Sequence, residues 1–128
     1  MKLENIKFKA KRLDNREWVE GDLMKESYSA RIIEHTSKAD NWIAVDPSTV
    51  CQFTGLKDCD GKEIWEGDVL LDIDSDSQYT VMYSDYGGAF FIRKNGTVND
   101  DMYLFELSDV DKCIAFIEVI GNKFDKEK

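Results

Sequence analysis

"DGKEIWEGDV", Asp60–Val69, is the stretch whose reading decides the fold. Asp60-Gly61 is a turn pair: glycine takes positive φ without steric cost, and aspartate bonds nearby backbone N–H groups. The run "KEIW" leaves the turn as a strand, with Ile64 and Trp65 of the residue types that favour a pleated surface. Gly67-Asp68 then bends the chain before "VLLDI" resumes extended structure. An earlier stretch, "DNREWVEGDL", Asp14–Leu23, aligns with it without a gap. The Glu-Gly-Asp triplet recurs in register, Arg16 answers Lys62, and a tryptophan precedes each triplet. The echo predicts one hairpin device used twice, with Asn15 or Gly61 making the turn and Gly21 or Gly67 bending the chain into its next strand.

Working outward, "IKFKAK", Ile6–Lys11, alternates apolar and basic residues, which at period two sets Ile6, Phe8 and Ala10 on one face and the lysines on the other. Further strands are predicted in Ala30–Thr36 and Asn41–Val45. Pro47, the only proline, pushes Asp46 towards extended geometry and marks a boundary. An N-terminal β subdomain, residues 1–47, is therefore expected before a second β subdomain, 48–124, and an untethered tail, 125–128. After Pro47 come short β-rich runs, "TVCQFTGL", "KEIWEGDVLLDI", "QYTVMYS", "AFFIRK", "YLFEL" and "CIAFIEVIG", separated by turn chemistry. Such spacing predicts a small SH3-like antiparallel barrel with little helix, closed by "IEVIGN". Asn95-Gly96 predicts a type I′ hairpin turn. Ser108 with Asp111 resembles a capping box and predicts a helical turn over Ser108–Lys112.

The net charge of −9 opposes binding to a phosphate backbone, which rests on Lys and Arg displacing counterions, and makes a basic partner electrostatically easier. The charges are uneven. Lys2, Lys7, Lys9, Lys11, Arg12 and Arg16 crowd the beginning, while Asp58, Asp60, Glu63, Glu66, Asp68, Asp72, Asp74 and Asp76 crowd the middle. Solvated faces explain such runs, with head-to-tail association as the alternative. Cys51, Cys59 and Cys113 are odd in number and lack the C-x-x-C spacing of a metal or redox site, so reduced thiols and a cytoplasmic setting are expected. No apolar run approaches the roughly 20 residues of a membrane span.

As chemistry, the triplets offer paired carboxylates, Glu20/Asp22 and Glu66/Asp68. A metal or acid–base site needs several carboxylates converging or a histidine alongside. The only histidine, His35, sits in a strand-like run and cannot alone complete a zinc site or a triad. Turn and capping roles are expected, with no catalytic residue, cofactor or metal. "DIDSDSQ", Asp72–Gln78, lacks the glycine, terminal glutamate and flanking helices of a calcium loop. "DYGGAF", Asp85–Phe90, lacks the lysine and helix of a phosphate loop. Trp18, Trp42, Trp65, Tyr79, Tyr83, Tyr86, Phe90, Phe91, Tyr103 and Phe105 are read as core or subunit interface rather than base-stacking platforms. Phe90 and Phe91 point to opposite faces of one strand, so a neighbouring subunit is expected to cover one of them.

"QFTGLKDCDGKEIWEGDV", Gln52–Val69, resembles the signature of the YopX family, small proteins of bacteriophages and prophages. "IEVIGNKF", Ile117–Phe124, is similar to that family's C-terminal motif, and "IKFKAKRLDNREWVEGDL" to its N-terminal segment; the three blocks lie in the family's order. Residue by residue, Thr54, Gly55, Leu56, Asp58, Gly61, Glu66, Gly67, Asp68, Glu118, Val119, Ile120, Gly121 and Asn122 occupy motif positions, read as structural. The resemblance implies a β-rich homo-oligomer in the cytoplasm of a bacterium carrying a phage or prophage, with no assigned activity. The function expected is non-enzymatic, through protein–protein contacts with itself and a host or phage protein. The alternatives are a nucleic-acid-binding module using the basic strand, or an acidic decoy of a host DNA-binding protein.

Overall fold

The structure, a computed structural model, describes residues 2–85, 87–97, 101–109 and 111–125. It is mainly β, with antiparallel sheets and only short 3-10 turns among the described residues. The chain forms two compact units, Met1–Phe53 and Thr54–Lys128. Among the described residues no helix is long and apolar enough to cross a membrane.

In the first unit, β1 (Phe8–Lys11), β2 (Trp18–Lys25), β3 (Ala30–His35) and β4 (Asp40–Val45) pair in the order β4-β3-β2-β1, and the start of β5 (Cys51–Lys57) lies beside β1. The period-two reading of the first strand holds. Ala10, Val19, Ala30, Ile32 and Val45 form a buried core, and Phe8 packs on it. On the opposite face Lys9 and Lys11 place their ammonium groups 4.6 and 4.8 Å from the Trp18 ring centre, and Lys7 lies 4.7 Å from that of Phe53. The lysine stems thus cover aromatic surface while the charges reach solvent. Beyond β1, Arg12 bridges Val45, and the Leu13 N–H donates to the Ala44 carbonyl at 3.1 Å, closing off the last residues of β4's outer edge.

The first copy of the echo does not use the device expected of it. Positive φ falls on Arg16 (60°), not Asn15, whose side-chain oxygen accepts instead from the Glu17 N–H at 2.9 Å. Nor does Gly21 bend the chain. It lies within β2 where the strand changes neighbour: Trp18–Gly21 pair with β1, and Asp22–Lys25 pair with β3. A Cβ on Gly21 would collide with the Ile33 carbonyl oxygen, so the residue is needed for close backbone approach, not for conformation. Pro47 opens a 3-10 turn, Pro47–Thr49, capped by the Asp46 carboxylate on the Ser48 N–H at 3.0 Å. Cys51 and Gln52 then pair with Lys9 and Phe8, so the two units divide inside β5, after Phe53.

In the second unit the remainder of β5 and β6 (Glu63–Trp65) accompany a sheet of β7 (Asp68–Asp72), β8 (Gln78–Ser84), β9 (Ala89–Lys94), β10 (Asp101–Tyr103) and β11 (Ile117–Asn122), in the order β10-β9-β8-β7-β11. Ile64, Leu70, Val81, Ile92, Ile114 and Ile117 are fully buried at its centre. The sheet is open, not the closed SH3-like barrel expected, because β10 and β11 end the strand order and each has another occupation. The outer edge of β11 is covered by the chain at Asp58 and Cys59: the Cys59 N–H donates to the Ile117 carbonyl at 3.0 Å. After only three residues β10 passes into a 3-10 helix, Leu104–Leu107, so only Tyr103 of "YLFEL" is in a strand. Ser108 is that helix's C-cap, its hydroxyl donating to the Phe105 carbonyl at 2.8 Å, and the helical turn expected over Ser108–Lys112 includes position 110, which lies outside the described residues.

At Asn95-Gly96 only Gly96 has positive φ (87°), and Thr97 N–H donates to the Lys94 carbonyl at 3.1 Å, the sign pattern of a type II turn rather than type I′. Residues 98–100 lie outside the described residues, as do Tyr86 and positions 126–128 of the expected tail. Asp125 is tethered, accepting the Asn122 N–H on its carboxylate at 2.8 Å. Of the β9 aromatics, Phe90 meets Tyr83 edge-on with ring centres 5.3 Å apart, and the Arg93 guanidinium stands 5.6 Å from the Phe91 ring centre.

Candidate functional site

The motif residues of the second unit form three hydrogen-bonded braces. At the first, the Thr54 hydroxyl donates to the Ile64 carbonyl at 2.6 Å and accepts the Leu56 N–H at 3.2 Å, spanning Gly55, whose φ of 84° kinks β5. At the second, Asp58 is completely buried. One carboxylate oxygen accepts the Asp60 and Lys62 N–H groups at 2.9 and 2.8 Å, fixing the turn at Gly61 (φ 80°); the other accepts the Val119 N–H of β11 at 2.9 Å. Charge-assisted bonds of this kind are roughly twice as strong as neutral ones.

At the third brace Gly67 (φ 85°) reverses the chain and buried Asp68 closes the turn, accepting the Trp65 N–H at 2.7 Å and the Asn122 amide at 2.9 Å. The same Asn122 amide donates to the Glu66 carbonyl at 3.2 Å, and its oxygen accepts the Phe124 N–H at 3.0 Å. Asn122 thereby joins the end of β11 to the start of β7. Between Val119 and Gly121 the β7–β11 register shifts, and Ile120 stands at that irregularity with its side chain exposed. Glu118 is half-buried opposite Leu71. Asn122→Ala is expected to cost about 2 kcal/mol, because it leaves buried Asp68 and a turn carbonyl short of a donor. Urea unfolding checks this as a fall in midpoint at constant m.

The first-unit carboxylates are placed differently. Glu20 lies 4.0 Å from the Lys7 ammonium, and Asp22 is more than half exposed and faces His35. His35, the chain's only histidine, is set by the fold between two carboxylates: Nε2 to Asp22 at 2.6 Å and Nδ1 to Asp40 at 2.7 Å. The Thr36–Ala39 turn, closed by a 3.1 Å backbone bond, brings Asp40 across from His35. Spacing alone could have flagged Asp40; Asp22 needs the β2–β3 register. Hydrogen bonding to Asp22, then to Asp40, holds the imidazole above its usual 6.5. A folded pKa raised in this way stabilises the protein fully at pH below the unfolded value, and the contribution is lost as pH rises through the folded value. An NMR titration is expected to place His35 above 6.5, and Asp22→Asn is expected to bring it down. No group of three or more His, Cys, Asp or Glu among the described residues is arranged to hold a metal.

Beside the first brace the second unit opens a cleft of about 420 Å³. Leu56, Ala89 and Phe90 wall it, and Tyr103, Phe105 and Glu106 contribute its remaining sides. Tyr103 and Phe105 are 46% and 64% exposed, far more than core aromatics, so this surface is open as well as apolar. The Lys112 ammonium stands 4.7 Å from the Phe105 ring centre. Charge is divided between the units rather than shared. Residues 1–53 hold nine Lys or Arg and nine Asp or Glu, while residues 54–128 hold eight and seventeen, so the second unit carries the whole −9.

Fold and site together define a small, mainly β protein of two units whose motif carboxylates brace turns and a strand edge. The chain belongs to the YopX protein family, whose model matches residues 7–127. None of the curated proteins compared matches it.

Proposed function

We propose that the chain is a non-enzymatic phage or prophage accessory protein that works in the cytoplasm of a bacterium through protein–protein contacts, as a homo-oligomer. The observation that carries this reading is a reversal of the usual exposure. Asp58 and Asp68 are buried in hydrogen bonds to backbone and amide groups, while Trp42, Leu13, Tyr103 and Phe105 are 46–64% exposed. Self-association is best served by the first unit. Trp42 and Leu13 border a shallow cleft beside β4, the end strand of its sheet, and the unit's zero net charge lets two copies approach without repulsion. Light scattering at micromolar concentration is expected to give a multimeric mass that Trp42→Lys lowers. A monomeric mass for the unaltered chain would refute the reading.

A second reading has its own support. Lys7, just before β1, and Lys9 and Lys11 on it lie over Phe53 and Trp18, in a unit without the acidic excess that weighs against nucleic acid in the chain as a whole. Binding there predicts a salt-weakened anisotropy signal with single-stranded DNA that Lys9→Glu abolishes. A decoy of a host DNA-binding protein would use the acidic second unit instead, and would show as competition with duplex DNA for that host protein.

A further inference from the structure

We propose that the second-unit cleft receives an extended segment of a foreign protein in which an apolar side chain is flanked by lysine or arginine. This rests on the reading above that the chain acts through protein contacts, and it supplies the chemistry of one partner. A volume of about 420 Å³ accommodates one or two side chains, within the range of ordinary peptide and ligand pockets. The wall of Leu56, Ala89 and Phe90 rewards an apolar group by removing it from water.

Charge selects what flanks that group. Glu106 is the charged residue among those that line the cleft, and the unit around it has nine more acidic than basic residues. Two copies meeting cleft to cleft would oppose like charges, which disfavours a two-fold contact here and favours a basic partner. A second copy's lysine strand is a poorer candidate, since Lys7, Lys9 and Lys11 already lie over the rings of their own unit. Phe105 shows that this rim accepts a cation: its ring faces the chain's own Lys112 ammonium at 4.7 Å. An incoming lysine or arginine would compete with Lys112 for that ring.

The test uses the full chain and a fluorescein-labelled peptide, Gly-Lys-Arg-Leu-Arg-Lys-Gly, with two comparators, one with serine for the leucine and one with glutamate for every basic residue. Anisotropy is expected to show salt-weakened binding of the leucine peptide, at least about tenfold weaker binding of the serine peptide, and none of the acidic one. Phe105→Ser is expected to weaken the leucine peptide about tenfold, an effect of the size expected at an interface anchor. Because Phe105 is exposed, the variant is expected to keep its melting temperature. Lys112→Gln, which frees the Phe105 ring of its own cation, is expected to tighten binding about threefold, whereas Lys62→Gln, the same charge change elsewhere in the unit, leaves it nearly unchanged. Equal binding of the leucine and serine peptides, indifference to Phe105→Ser, or no binding of the leucine peptide would each overturn the proposal. Light scattering on the same samples separates it from the homo-oligomer reading. A multimeric mass without peptide binding removes the basic segment alone, and peptide binding by a monomer removes self-association alone. A mass lowered by Phe105→Ser without peptide binding would instead make the cleft a contact between copies.

Discussion

Asp58→Ala is expected to destabilise the protein by about 3–5 kcal/mol, the largest effect of any single polar substitution in the second unit. The carboxylate is fully buried and accepts three backbone N–H groups, from Asp60, Lys62 and Val119, at 2.8–2.9 Å. Alanine leaves those donors without their acceptor and leaves space where the carboxylate stood. Two consequences follow at different distances along the chain. The Asp60–Lys62 turn loses its closure, and β11 loses the group that occupies its outer edge at Val119. Against a total stability of about 5–15 kcal/mol for a domain, a loss of this size removes about a fifth or more. Asp58→Asn is expected to fall in between, since the amide oxygen can still accept from the turn but an NH₂ group then faces the Val119 N–H. Urea unfolding followed by tryptophan fluorescence checks both variants.

Gly21→Ala is expected to destabilise the first unit by about 3 kcal/mol, through overpacking against backbone rather than through φ. The added methyl would meet the Ile33 carbonyl oxygen, which cannot move without disturbing the β2–β3 ladder. Gly67, its counterpart in the sequence echo, should respond differently. There φ is 85°, and a Cβ would stand 3.2 Å from the hydrogen-bonded Asn122 side-chain amide, a tight contact that needs an adjustment of a few tenths of an ångström, far less than the collision at Gly21. Gly67→Ala is therefore expected to cost only about 1–2 kcal/mol, mostly backbone strain. Comparing the two variants in one unfolding series shows whether the matching triplets do different work in the fold.

Local chemistry made much of this architecture legible. "QYTVMYS" and "AFFIRK" are β8 and β9 with the bounds the alternation and flanking turns suggest, and Gly61 and Gly67 take the positive φ expected of them. What escaped depended on distant partners. Asp58 reads as a turn residue, and its reach to Val119, 61 positions away, is invisible until the sheet is assembled. The open sheet escaped for the same reason, because occupation of the β11 edge and the early 3-10 helix after β10 decide it, not strand propensity. His35 looked solitary because Asp22 lies on another strand. Whole-chain charge also misled, since an average of −9 hides a neutral first unit and an acidic second one. Among the motif positions, Gly61 and Gly67 take the positive φ that local turn chemistry encodes. Thr54, Asp58 and Asn122 add cross-chain bracing that no local pattern encodes.

Native-state hydrogen exchange at the Val119 amide tests the central claim, that the motif carboxylates brace the fold. This N–H belongs to a strand at the end of its sheet, and its acceptor is the Asp58 carboxylate. Exchange as slow as that of the core amides of Leu70 and Val81 is the predicted result. Exchange at the rate of an unprotected strand edge would contradict it.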